Sequence, residues 1–109
     1  MPLPPRIADG ILRSVADAAD AEACGLILGK DSLVRAWYPC RNVHEDPVHS
    51  FLLHPQDLRK ALELAERLQL EILGVWHSHP EGPALLSTED QVGVPADWLQ
   101  WLVAPREER

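Results

Sequence analysis

The sequence predicts an α/β domain, a mixed twisted sheet flanked by helices, and three observations point to it. Two segments repeat apolar residues at helical spacing: Ile7, Ile11, Leu12, Val15 and Ala18, then Leu58, Ala61, Leu62, Ala65 and Leu68. Short apolar runs at 23–29 and 71–76 are too brief or too glycine-broken for helices and read as buried strands. A chain of 109 residues, 46% of them hydrophobic, is long enough for one packed core and too short for two, so one domain over 1–109 is expected.

Taken in order, the first helix is expected over about 6–19. A strand over 22–28 follows, whose alternation sets Glu22 on the face of Cys24, Leu26 and Leu28. Further strands are expected over 33–38 and 48–53, separated by a polar loop at 39–47 that holds Arg41, Asn42, Glu45 and Asp46. The best-marked helix runs from Pro55 to about Leu68, with proline at a favoured first position and Asp57 near the positive end of the dipole. A strand at 71–76 leads into His77-Ser78-His79-Pro80, where Pro80 and Gly82 end regular structure. A short helix is expected after Ser87, and a last strand over 98–103 before the charged tail at 106–109.

The formal net charge of −7 opposes partners bound through phosphate neutralisation, so neither nucleic acid nor an anionic membrane is expected. No apolar run approaches the ~18 residues of a membrane span, and residues 1–6 lack the pattern of a secretory signal, so a cytoplasmic location is expected. Cys24 and Cys40 form no Cys-x-x-Cys pair and read as reduced thiols rather than metal ligands. His44, His49 and His54 lack a partner at ligand spacing and read as ordinary loop, strand and helix-start residues. The four tryptophans read as packing, with Trp76 a candidate wall of the site.

Residues i and i+2 of a strand share a side, so His77 and His79 present two imidazoles together. A catalytic zinc takes three protein ligands and leaves a position for water, and Asp90, beyond a short Pro/Gly loop, suits the third ligand. By themselves these features also have plainer accounts. Two histidines serve as polar residues at a strand end, Ser87-Thr88-Glu89-Asp90 fits a helix-capping box, and Glu22 fits an exposed carboxylate at a strand start.

Together, His77-x-His79, seven residues, Ser87, two residues and Asp90 resemble the signature of the JAMM (MPN-plus) zinc metalloproteases. Gly74-Val75-Trp76 resembles the strand before that motif, and Glu22-Ala23-Cys24-Gly25-Leu26-Ile27-Leu28-Gly29 the family's glutamate-bearing strand, so the resemblance covers about residues 6–104. It implies a deaminase-like three-layer sandwich with one zinc per chain on His77, His79 and Asp90. It also implies Glu22 as the general acid/base and Ser87 as oxyanion support. The substrate implied is a ubiquitin-like or sulfur-carrier protein, cut after its C-terminal diglycine. Strand addition beside the Glu22 or His77 strand would hold its tail. A partner or second copy is expected to cover a sheet edge. A non-catalytic MPN-type scaffold is the rival implication, while the His-x-Glu and Pro-Cys-x-x-Cys elements of the deaminases are missing.

Overall fold

A computed structural model describes residues 2–79, 95 and 97–103. The element order is α1 (Pro5–Ala18), β1 (Cys24–Lys30), β2 (Leu33–Cys40), α2 (Pro55–Leu68), β3 (Glu71–Ser78) and β4 (Leu99–Val103). Among the described residues the sheet runs β2-β1-β3-β4, antiparallel except for the parallel β3–β4 pair. The expected helix after Ser87 lies outside the described residues.

The helices cover opposite faces. Ile7 and Ile11 of α1 pack with Ile27 and Trp76, whereas Ala61 and Ala65 of α2 pack with Leu26, Leu28 and Val75. This gives the three layers, helix, sheet and helix, that the sequence implied. The central strands β1 and β3 are apolar on both faces because both faces are covered, and their nearly unbroken apolar runs follow from that. Gly25 permits a close approach: a Cβ there would collide with the Tyr38 carbonyl oxygen and stand 2.5 Å from the Trp76 indole nitrogen.

Helix α2 is bounded by its own sequence. His54 Nδ1 accepts from the Gln56 N–H at 3.1 Å, Pro55 opens the helix, and Gln69 closes it in the left-handed conformation. Its apolar stripe is narrower than the spacing predicts. Leu58, Ala61 and Ala65 face the sheet, while Leu62 and Leu68 are exposed at the flanks of that face. Asp57 does more than favour the dipole: its carboxylate accepts from the Arg41 backbone N–H at 2.8 Å and takes the guanidinium on both oxygens, at 2.9 and 3.0 Å.

The expected strand at 48–53 is not formed. The chain turns at Asp46, whose carbonyl accepts from the N–H groups of His49 and Ser50, and only an isolated Asn42–Leu53 bridge remains. Phe51 and Leu53 spend their apolar surface on the α2-side core instead of on a ladder. The strand expected at 22–28 begins two residues later, at Cys24, and the strand expected at 71–76 continues through His77 and Ser78.

Candidate metal and catalytic centre

Because β1 and β3 are antiparallel, the entry to β1 and the exit from β3 meet at one end of the sheet. Cys24 pairs with His77. One step outward, the Ser78 N–H donates to the Ala23 carbonyl at 3.0 Å, and the Ser78 hydroxyl accepts from the Ala23 N–H at 2.9 Å. Alternation then turns Glu22, Cys24 and His77 to the α2 side. Glu22 and His77 are both buried, and His79 is half-buried just beyond the strand. The cluster therefore sits at the end of the two central strands of the sheet.

The ligand-capable atoms of Glu22, His77 and His79 all lie within 4.8 Å of one another. The two histidines turn their Nε2 atoms together, 3.3 Å apart. Two nitrogens bound to a tetrahedral zinc at about 2.0–2.1 Å stand about 3.3–3.4 Å apart, so this spacing is that of one edge of a zinc tetrahedron. Burying a carboxylate beside two imidazoles is costly unless the groups pair or share an ion. The donor set, one carboxylate and two imidazoles, thus fits a divalent metal with Glu22 as a ligand or as a neighbour across one water. Ser87 and Asp90 lie outside the described residues.

Phe51 supplies a wall. Its ring stacks on His77 with centroids 4.5 Å apart and planes 22° from parallel, which limits the imidazole's rotation. Trp76 does not wall the site. It faces the α1 layer, tilted against Trp37 with centroids 6.0 Å apart. Cys24 and Cys40 are free thiols, and the Cys24 Sγ lies 3.6 Å from the Cys40 carbonyl oxygen. Burial pushes the Cys24 thiol up and the Cys40 thiol up to about 12, with the neighbouring carboxylate of Asp57 adding to both. His44 and His49 take ordinary loop roles around Asp46, and His54 caps α2.

Three contributors escaped sequence reasoning. By sequence Ser78 is only the residue between two histidines, Asn42 only a polar loop residue, and Phe51 part of an expected strand. The available signals were that Phe51 is the chain's one phenylalanine and that an Asn side chain both donates and accepts.

Residues 4–109 match the family model described as prokaryotic homologs of the JAB domain. The chain belongs to this prokaryotic JAB-domain family. A probable TtuB-protein conjugate cleaving protease of Thermus thermophilus is 43% identical over 72 residues, 66% of this chain and 48% of that protein. A desampylase of Pyrococcus furiosus is 35% identical over 89 residues, 82% of this chain and 63% of that protein. The solution structure of DSY2949 from Desulfitobacterium hafniense superposes with a TM-score of 0.71 at 31% identity, covering 79% of this chain and 61% of that one. This JAB domain therefore spans about half to three-fifths of the length of these curated relatives. Among the described residues no helix is long and apolar enough to cross a membrane.

Proposed function

We propose that this JAB domain is a zinc-dependent peptidase or isopeptidase that hydrolyses the bond after the C-terminal diglycine of a ubiquitin-like or sulfur-carrier protein. The observation that carries the reading is the convergence of Glu22, His77 and His79 at one strand end. The names of the Thermus and Pyrococcus relatives, a conjugate-cleaving protease and a desampylase, support the reaction and the substrate class.

In this reading His77, His79 and Asp90 hold one zinc, which supplies Lewis acidity to polarise a carbonyl and acidify water. Glu22 takes the proton as the water oxygen adds to the carbonyl carbon. It returns that proton to the nitrogen as the C–N bond breaks, leaving a carboxylate and an amine. The Ser87 hydroxyl donates to the developing oxyanion, a contribution of a few kcal/mol when held in place. Phe51 keeps the His77 ring from turning away. The substrate tail does not add to the Glu22 or His77 strand, since β1 and β3 each pair on both sides. Among the described residues the edge strands are β2 and β4, and edge pairing by the tail, a partner or a second copy falls to them.

The test joins elemental analysis of chelator-free protein with cleavage of ubiquitin-like fusions. About one zinc per chain, lost in Asp90→Ala and kept in a cleavage-dead Glu22→Ala, is the expected outcome. Protein that takes up no metal when zinc is supplied sinks the reading and leaves the scaffold alternative.

A further inference from the structure

The backbone around Glu22 is gripped on every side. Its N–H donates to the Pro47 carbonyl at 2.6 Å, and its carbonyl accepts from Asn42 Nδ2 at 3.0 Å. The next residue, Ala23, has its N–H and its carbonyl both engaged by Ser78. Ser78 ties this segment to β3 and so to the histidines. Asn42 ties it to the loop.

Asn42 is the hub of that loop. Besides the Glu22 carbonyl, its amide nitrogen reaches the Ser50 carbonyl at 3.0 Å and the Pro47 carbonyl at 3.4 Å. Its oxygen accepts from the N–H groups of His44 at 3.1 Å and Leu52 at 3.0 Å. Three carbonyls on one side and two N–H groups on the other fix which way the amide faces, and only a group that both donates and accepts satisfies both sides. The Pro47 carbonyl that Asn42 approaches also receives the Glu22 N–H, so one side chain organises both hydrogen bonds of that residue's backbone. The same amide anchors Ser50 and Leu52, on either side of Phe51, whose ring stacks on His77.

We propose that Asn42 is a positioning residue for Glu22, holding the carboxylate-bearing peptide and the Phe51 wall in fixed relation to the two histidines. This rests on the reading of Glu22 as the proton carrier. A displacement of about 1 Å at such a group costs about 10²-fold in rate. Asn42→Asp keeps the shape and the two accepted bonds but sets a carboxylate against three carbonyl oxygens. The amide bracket loosens while the proposed ligands stay untouched.

The experiment has two arms. In amide hydrogen exchange, Asn42→Asp should raise exchange at Glu22 and Ala23 by tenfold or more while β3 through Val75 and Trp76 keeps its protection. In kinetics, the variant should bind zinc as the parent does and lose about 10- to 100-fold in kcat with KM nearly unchanged. A kcat equal to the parent's, a loss carried by KM instead of kcat, or undisturbed exchange at Glu22 and Ala23 overturns the proposal. Asn42→Ser, small and neutral, takes the place of Asn42→Asp in both arms if the charged variant does not fold. A parent that binds no zinc and cleaves nothing would refute the functional reading, while the exchange arm still tests the bracket.

Discussion

Trp76 and His77 are neighbours on β3, both fully buried, yet they face opposite layers of the domain. On the α1 side Trp76 packs with Ile7, Ile11, Ile27 and the tilted ring of Trp37. On the α2 side the packing begins as apolar, with Leu28, Leu26 and Val75, and then changes at the end of the strands to Cys24, His77 and Glu22. Among the described residues the first face carries an apolar cluster and serves the fold. The other stops short of its end, and the polar groups left there are held by neighbours that fix their geometry. Substitutions on the first face should be read out as stability, and those at the end of the second as metal binding and rate.

The largest effect that tests this division is Trp76→Ala. Removing the indole leaves a cavity between α1 and the sheet and should cost about 3–5 kcal/mol, seen as a large fall in the urea midpoint. His77→Ala, one residue along, should abolish zinc binding and cleavage. With chelator present, so that metal linkage is excluded, it should cost only about 1 kcal/mol through the lost stack on Phe51. Should the metal-free His77 variant be as unstable as the Trp76 variant, the two faces would not differ in the way described.

A smaller effect sharpens the α2 side. The Arg41 guanidinium and backbone N–H hold the Asp57 carboxyl at about 2, below its usual 3.8. The folded value is depressed, so the stabilisation is complete above about pH 4 and is lost as pH falls through about 2. Asp57→Asn should cost about 1 kcal/mol at pH 7, a modest figure because Arg41 is largely exposed. Thermal melts of parent and variant should converge between pH 4 and pH 2. A gap that persists at pH 2 would assign the loss to packing instead.

The smallest effect lies at the far end of the sheet from the site. Asp31 and Ser32, the two residues joining β1 to β2, both have positive φ, 53° and 64°. A tight hairpin of this kind favours glycine, and Ser32→Gly should raise stability by about 0.5–1 kcal/mol with zinc content and cleavage unchanged. A change in cleavage would mean that the two ends of β1 are coupled.

Much of this domain is written locally. The apolar spacing of α1 and α2, the proline and histidine at the start of α2, and the glycine-broken run of β1 each specify an element through interactions within a few residues. The His77-x-His79 pair was legible for the same reason, since a period of two is a local property of a strand. The segment 48–53 is not legible in this way, because its apolar residues resemble a strand whether they pair in a ladder or, as here, drop Phe51 and Leu53 into a core.

What the sequence by itself determined was the class of the two helices and of the four strands of the sheet, most of the core and which chemistry was on offer. Tertiary structure decided who the neighbours are. Setting β1 beside β3 brings Ala23 against Ser78 across 55 positions of chain, and Glu22 with it to the histidines. It also turned Asn42 from a polar loop residue into the clamp on Glu22. Strand order and side-chain hubs depend on contacts between distant segments, whose free energy resides in the pairing and burial of both partners at once. A local pattern shows that a face must be covered, and only the assembled fold selects what covers it.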